Sequence, residues 1–207
     1  MSELRAAQAV ALLRGGAVVA LATDTVYGLA ASLAHPDALA ALFALKRRPG
    51  NVALPVLVDG VAQIETLGVA WPVPAARLSD VLWPGALTIV VPAPAPLARL
   101  VGSTSASVGF RCPGDDELRR LLARTGPLAV SSANEHGEAP CTTAAQVRAA
   151  FADRALAGVL DGGVRDRPVS TVVELIEDSW RVRREGAVPR EILAGLLDQG
   201  EGRSGGQ

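Results

Sequence analysis

Several residue types that carry recognisable chemistry are scarce in this sequence. Its 207 residues include two cysteines, two histidines, one tyrosine and one lysine, and aromatic residues account for only 3%. The cysteines, Cys112 and Cys141, lie far apart without a Cys-x-x-Cys spacing, which excludes a cysteine-based zinc site and argues against a disulfide framework. No aromatic residue alternates with the basic clusters, so the stacking platform of single-strand nucleic-acid binders is missing.

Long apolar runs and the common catalytic loops are missing as well. No apolar stretch approaches the length that crosses a bilayer, and the first residues lack a signal-peptide layout, so we expect a cytoplasmic protein without membrane contact. There is no G-x-x-x-x-G-K-[ST] loop, no G-x-G-x-x-G fingerprint and no G-x-S-x-G elbow. The two histidines, His35 and His136, fall in predicted turns. A nucleophilic hydrolase is therefore a poor fit.

Charge is balanced, with 20 basic and 21 acidic residues and a formal net charge of -1. No global basic field points to nucleic acid, so any anion site must be local. Nearly all the positive charge is arginine, which favours planar, bidentate contacts with carboxylate or phosphate. Hydrophobic residues make up 49% of the chain, ample for the core of one large or two small domains.

Strand and helix patterns intermix along the chain without a linker or an internal repeat. We predict one α/β domain over residues 1–198, with a twisted mixed sheet and flanking helices, and a disordered tail at 199–207. Segment 93–104 is predicted to be irregular. The predicted strands are 17–22, 54–58, 87–91, 107–111, 127–130, 156–160, 170–175 and 180–184. The predicted helices are 3–14 (with Ser2 as N-cap), 35–48, 61–67, 74–82, 118–124, 144–151 and 189–197.

Small hydrogen-bonding side chains gather beside three predicted strands, at 23–25, 131–134 and 170–171. A core strand that ends in such side chains is a typical way to present a ligand site, although a turn that only caps the next segment is the plainer interpretation. Basic residues accompany these clusters. They are Lys46 with Arg48, Arg111 and Arg184. Together they suit an anionic ligand with several oxygens, but cations in a last helical turn are also ordinary dipole partners.

The order of these clusters adds a family resemblance. The pieces are T-D-T-V-Y-G-L at 23–29, K-R-R-P at 46–49, W-P-G-A-L-T at 83–88, V-G-F-R-C-P at 108–113, S-S-A-N at 131–134 with Gly137, S-T-V-V at 170–173 and R-E-G at 184–186. In this order, over about residues 10 to 190, the chain resembles the YrdC family of threonylcarbamoyl-adenylate synthases, in its single-domain form. The resemblance implies a YrdC/DHBP synthase-like fold.

The resemblance also implies a reaction. L-threonine and bicarbonate form a carbamate that attacks the α-phosphorus of ATP, and threonylcarbamoyl-AMP and pyrophosphate are released. Mg²⁺ is expected to arrive with ATP. The product serves threonylcarbamoyladenosine formation at position 37 of tRNA, so tRNA and the downstream transferase proteins are expected partners.

Site residues carry over from the family motifs, position by position. Four are expected to contact threonine: Thr25, Arg111, Val130 and Ser170. Seven are expected to contact ATP: Lys46, Arg48, Ser107, Ser132, Asn134, Pro140 and Arg184. No general base is assigned, and Asp24 is the nearest candidate. No protein-held metal is expected.

Six positions depart from the residues usual in the family. They are Asp24 (usually Glu), Val52 (Asn), Leu57 (His), Ala86 (Pro), Asp115 (His) and His136 (Ser). Three alternatives stay open at this point. The chain is an RNA-binding module that makes no adenylate, a relative that forms carbamoyl-adenylate (an activity expected in a much larger chain), or a structural partner without activity.

Overall fold

The sheet is the element on which the rest of the chain packs. The computed structural model describes residues 2–47, 52–135, 137–177 and 179–198, and in them nine strands form one mixed sheet. The strands are β1 (Val19–Ala22), β2 (Tyr27–Ser32), β3 (Val56–Leu57), β4 (Leu87–Pro92), β5 (Ser107–Arg111), β6 (Leu128–Ser132), β7 (Val159–Leu160), β8 (Thr171–Ile176) and β9 (Ser179–Arg184). Their order across the sheet is β7-β1-β2-β6-β3-β5-β4-β8-β9. The predicted single α/β domain with a twisted mixed sheet is confirmed.

Eight helices lie among the described residues: α1 (Ala6–Arg14), α2 (Pro36–Lys46), α3 (Val61–Glu65), α4 (Val73–Leu82), α5 (Ala95–Leu100), α6 (Asp116–Thr125), α7 (Ala144–Ala150) and α8 (Arg190–Leu197). Local signals set several starts, since Pro36 occupies the first turn of α2 and the Asp115 carboxylate caps α6. None of the described helices is long and apolar enough to cross a membrane.

The two faces of the sheet are covered unequally. On one face, α1 and α6 pack with β1, β2, β3 and β6 in a small core that includes Leu13, Leu21 and Leu122. The other helices contribute to a larger core on the opposite face. Since the small core does not reach β4, β5 and β8, Thr88, Gly109 and Val172 of those strands line an open cavity instead.

Strand register brings the polar clusters to one region. In the hairpin of β1 and β2, Ala22 pairs with Tyr27, so residues 23–26 form its turn. Gly28 pairs with Ser132 of β6, Leu57 pairs with Arg111 of β5, and Leu87 pairs with Thr171 of β8. The polar clusters beside these strands therefore lie close to one another in the folded protein.

Four predictions of local structure are wrong. Residues 27–32 form a strand rather than a loop, and α5 occupies the segment predicted to be irregular. Helix α1 starts at Ala6 with Arg5 as its N-cap, because Glu3 forms a bridge with Val159 and the preceding residues are extended. Strand β7 is limited to Val159–Leu160. The tail at 199–207 lies outside the described residues, and its disorder stays a prediction.

Gly186 allows the start of β8 and the end of β9 to pack closely. A Cβ at this position would lie 2.6 Å from both Ser170 C and Thr171 N, and closer still to Val169 O. The Thr171 hydroxyl donates to Val188 O at 2.7 Å and accepts from Val188 N at 2.9 Å. The R-E-G piece therefore needs a glycine at 186, because this residue lies directly against the backbone of Val169, Ser170 and Thr171, where the S-T-V-V piece begins.

We expect Gly186→Ala to lower the free energy of unfolding by about 1–3 kcal/mol, because backbone atoms cannot move aside without shifting a strand. Gly195→Ala in α8 is the matched control, since nothing lies within 4 Å of its added Cβ. It should be neutral or stabilising by up to about 1 kcal/mol. Urea unfolding monitored by circular dichroism measures both, and equal effects would contradict the close-packing interpretation.

Candidate functional site

One cavity of about 300 Å³ collects most of the predicted site residues. It lies where the β1–β2 turn, the ends of β5 and β6, the start of β8 and the end of β9 meet. Eight of the predicted residues line it: Thr25, Arg111, Val130, Ser132, Asn134, Pro140, Ser170 and Arg184. The structure therefore brings both predicted sets together, while their contacts with ligands stay predictions.

Thr23 builds the turn that presents Thr25. Its hydroxyl donates to Val26 O at 2.7 Å and lies 3.0 Å from the Thr25 hydroxyl. The same oxygen accepts from the backbone N–H of Thr25 at 3.1 Å and lies 3.3 Å from that of Val26. Because the Thr23 proton goes to Val26 O and its oxygen faces two backbone N–H groups, this hydroxyl is engaged within the turn and fixes the position of Thr25.

Arg111 ends β5 with a guanidinium that is almost fully buried, the residue being 6% exposed. Its Nε donates to Gly85 O at 3.0 Å, Nη1 to Thr25 Oγ1 at 3.3 Å and Nη2 to Asp24 Oδ1 at 2.7 Å. These contacts with described residues use three of the five N–H groups. Burial lowers the pKa of Arg111, and the Asp24 carboxylate opposes that shift.

Asp24, the candidate base, is the ion-pair partner of Arg111. Its side chain is 9% exposed, so the pair is withdrawn from water. A carboxylate in this position compensates a buried cation and holds it at the cavity wall. This contact explains why an acid stands between the two threonines, while a role as general base stays a prediction.

Arg184 and Ser170 form a second polar group in the lining of the cavity. Arg184 Nε and Nη2 donate to Ser170 O at 3.0 and 2.8 Å, and Nη2 also donates to Ser170 Oγ at 2.9 Å. Ser170 Oγ in turn lies 3.0 Å from Thr88 Oγ1. Desolvation lowers the pKa of Arg184, and the positive charge of Arg111 lowers it further. Two cations that repel each other across one cavity favour an anionic occupant.

Lys46 is buried away from the cavity. Its residue is 1% exposed and lies outside the cavity lining. The ammonium donates to Ser132 O at 2.5 Å, and to the backbone and side-chain oxygens of Asn134, both at 2.9 Å. Three acceptors match the three donors of an ammonium group. Lys46 therefore holds the segment after β6 from inside the protein, while its contact with ATP stays a prediction.

The Asn134 side chain forms hydrogen bonds with residues on both sides of it. Its Oδ1 accepts from Ser132 Oγ at 2.6 Å, and its Nδ2 donates to Glu135 O and Glu138 O at 2.8 and 2.6 Å. One amide thus joins Ser132, Glu135 and Glu138 beside the cavity. Glu138 also lines the cavity and was not identified from the sequence.

The remaining predicted residues are placed differently. Ser107 lines a neighbouring cavity of about 410 Å³, which shares Pro55, Thr88 and Arg184 with the first. Val52 lines this second cavity, and Leu57 lines the first. Arg48 and His136 lie outside the described residues, so the predicted phosphate contact of Arg48 is left as a prediction.

Besides Glu138, sequence reasoning missed three contributors to the site. Gly85 and Thr88 belong to the W-P-G-A-L-T piece, which was recognised without a role for either residue. Gly85 O anchors Arg111, and a Cβ on Gly85 would lie 2.5 Å from Leu82 O. Tyr27, the only tyrosine, is fully buried and its hydroxyl lies 2.9 Å from Asp161 Oδ1. Its uniqueness was visible in the sequence, but its partner is 134 residues away.

This arrangement can bind a ligand with several anionic oxygens and a small amphipathic part. Arg111 and Arg184 supply positive charge, Thr25 and Ser170 supply hydroxyls, and an apolar wall is formed by Pro55, Leu57, Val130 and Val169. Among the described residues, no group of three or more His, Cys, Asp or Glu side chains converges as a metal site.

Comparison with known proteins agrees with this geometry. The family model Sua5/YciO/YrdC, described as telomere recombination, matches residues 11–186. A putative threonylcarbamoyl-AMP synthase of Mycobacterium tuberculosis is 37% identical over 190 residues, covering 91% of this chain and 87% of that one. The threonylcarbamoyl-AMP synthase of Bacillus subtilis is 36% identical over 194 residues, covering 92% of this chain but 56% of its own length.

One similar solved structure contains a bound ligand. The structure of Pyrococcus abyssi Sua5 complexed with L-threonine superposes with a TM-score of 0.86 at 29% identity. The match covers 95% of this chain and 59% of the archaeal chain. The chain thus spans a little more than half the length of that protein.

We expect Asp24→Asn to lower the free energy of unfolding by about 3 kcal/mol, because it leaves the buried Arg111 without a counter-charge. Asp116→Asn is the matched control. Asp116 forms an ion pair with Arg119 three residues on, and its side chain is 70% exposed, so its loss should cost under about 1 kcal/mol. Chemical denaturation measures both, and a small effect at Asp24 would contradict its role as the counter-charge.

Lys46→Met should also destabilise the fold, by about 2–4 kcal/mol, because it removes the buried ammonium that donates to three oxygens of Ser132 and Asn134. The matched control is Arg47→Met at the next position, where the side chain is 74% exposed. Thermal and urea unfolding measure the difference. A variant with unchanged stability and only weaker ATP binding would restore Lys46 as a direct phosphate contact.

Proposed function

Because the chain belongs to the Sua5/YciO/YrdC family, we propose that it makes threonylcarbamoyl-AMP and pyrophosphate from L-threonine, bicarbonate and ATP. The observation that carries the proposal is the single cavity that contains eight of the predicted threonine and ATP residues. The names of the relatives and the L-threonine complex of the archaeal protein support it.

The amino acid would occupy the side of the cavity formed by Arg111, Thr25 and Ser170. Arg111 keeps two N–H groups that no contact with a described residue uses, and these suit the carboxylate of an amino acid. Thr25 and Ser170 offer hydroxyls, and the wall at Leu57 and Val130 suits the threonine methyl group. Leu57 cannot hydrogen-bond, so this chain would recognise the side-chain hydroxyl through other groups.

ATP would extend from Arg184 and Ser132 toward the second cavity. The two cavities share Arg184, which places one cation between the amino-acid side and the region around Ser107. Asn134 and Pro140 border the first cavity and would contact the nucleotide. Lys46 would act indirectly, by holding the backbone of Ser132 and Asn134.

The reaction mainly requires that the reactants are aligned and that the negative charge of the departing pyrophosphate is compensated. The amine of threonine and bicarbonate would give a carbamate and water. A carbamate oxygen then forms a bond to the α-phosphorus, and the bond to pyrophosphate breaks. Holding the nucleophile in line with the α-phosphorus supplies much of the rate enhancement, and positive charge stabilises the departing pyrophosphate. Arg184 would perform the second task. Mg²⁺ would enter as part of the MgATP substrate, with phosphate and water oxygens as its main ligands.

The wider setting is part of the same proposal. The product would serve threonylcarbamoyladenosine formation in tRNA, carried out in the cytoplasm with downstream transferase proteins. Local basic charge at the cavity, and not the overall charge of the chain, supports an anionic substrate.

The direct test is pyrophosphate release from ATP and bicarbonate, with and without L-threonine. We expect release that requires threonine, and we expect Arg184→Met to lower kcat/KM by about 10- to 100-fold, the range for losing a hydrogen bond to a charged group. Arg190→Met is the control, because Arg190 lies 4.8 Å over the Trp180 ring and outside the cavity. Salt-sensitive RNA binding without any release would instead favour the RNA-binding alternative.

A further inference from the structure

The segment between β7 and β8 forms part of the cavity wall without regular structure. This connecting segment, residues 161–169, ends at Val169, which lines the cavity beside Ser170. The backbone N–H of Arg167 donates to Thr25 O at 3.2 Å. One irregular segment therefore contacts the turn that carries Thr25 and leads directly into Ser170.

Tyr27 holds the start of the connecting segment from inside. Its hydroxyl accepts from Gly162 N at 3.1 Å, lies 2.9 Å from Asp161 Oδ1 and 2.8 Å from Gly163 O. Burial raises the pKa of this phenol, which keeps it a neutral donor at physiological pH. A Cβ on Gly162 would lie 2.5 Å from the Ala22 Cβ, so the segment rests directly on the end of β1.

Asp115 and Arg165 hold the middle of the segment from outside. Arg165 Nη2 lies 3.1 Å from Asp115 Oδ2, with side chains 26% and 14% exposed. The Arg165 backbone N–H also donates to Thr142 O at 2.8 Å. The Nε of Arg165 is buried without a partner among the described residues, so burying this guanidinium is costly and the carboxylate is its compensation.

Asp115 also connects the segment to Arg111. Its other oxygen, Oδ1, accepts from Leu118 N at 2.9 Å and caps α6, four residues after Arg111 ends β5. One carboxylate thus joins the link that follows Arg111 to the segment that precedes Ser170. The ion pair therefore links two segments that each lead to a residue of the amino-acid side of the cavity.

We propose that Asp115 and Arg165 are positioning residues for the amino-acid side of the cavity. Their ion pair fixes the connecting segment, and the segment fixes the Thr25 carbonyl, Val169 and Ser170. The inference rests on the proposed function for the identity of the amino acid, threonine. It assigns to Asp115 a positioning role beyond that of a helix cap, and to Arg165 a role that no motif indicates.

The first measurement is hydrogen exchange of the peptide that spans 161–170, which needs no turnover. Asp115→Asn keeps an oxygen that caps α6 and removes only the charge. We expect the peptide to exchange about tenfold faster in this variant and in Arg165→Met, as local opening becomes easier. Asp116→Asn on the same helix is the control and should leave the exchange unchanged. Unchanged exchange in Asp115→Asn would overturn the proposal.

The second measurement is steady-state kinetics with L-threonine and ATP varied separately. We expect the KM for L-threonine to rise about five- to tenfold in Asp115→Asn, by misplacement of bound substrate, with a smaller change in the KM for ATP. Arg165→Met should behave alike, and the double variant should be no worse than either single one, because both changes remove the same contact. A purely structural pair would lower the amount of active enzyme and leave both KM values unchanged.

Tyr27→Phe tests the connecting segment through a different contact. Removing its hydroxyl should speed exchange at residues 161–163 and raise the KM for L-threonine without altering the Asp115–Arg165 pair.

If the wild-type chain releases no pyrophosphate under any condition, the proposed function fails, and the exchange data still decide whether the ion pair fixes the segment. Equal increases in both KM values would overturn the assignment to the amino-acid side.

Discussion

The buried guanidinium of Arg111 is the constraint around which the cavity is organised. A cation at 6% exposure needs a counter-charge and hydrogen-bond acceptors close to it. Asp24 supplies the charge, Thr25 of the same turn supplies one acceptor, and Gly85 supplies another from a separate segment. The T-D-T turn, the W-P-G turn and the end of β5 are therefore held together by one side chain. The same arrangement leaves part of the guanidinium facing the cavity.

Position, rather than residue type, separates the roles of the basic residues. Lys46 and Arg111 are both buried cations, but the Lys46 ammonium is enclosed by oxygens of Ser132 and Asn134. Arg111 and Arg184 line the cavity and influence each other across it. One cation thus stabilises the backbone of a loop, and two others create the positive potential that an anionic substrate would relieve.

The failed predictions of local structure share a physical cause. Strand β2 has an alanine- and glycine-rich sequence with little strand propensity, and it is stabilised by antiparallel pairing with β1 and β6 on either side. Helix α1 starts late because Glu3 pairs with Val159, far along the chain. In α5, a proline at the start and buried Leu97 and Ala98 give a short helix where Pro and Ser content indicated a loop. In each case, contacts made after the chain folds outweigh the local preference.

The sequence by itself determined the fold class, the family and eight of the residues that line the cavity, because motif order and the alternation of strands with helices are properties of the linear chain. Only the tertiary structure showed that Asp24 compensates Arg111, that Lys46 supports a loop and that Asp115 pairs with Arg165. These contacts join residues about 50 to 88 positions apart, and their partners are chosen by strand register and burial. Residue type alone does not predict which charged residues form ion pairs, because the pairing depends on where each strand ends.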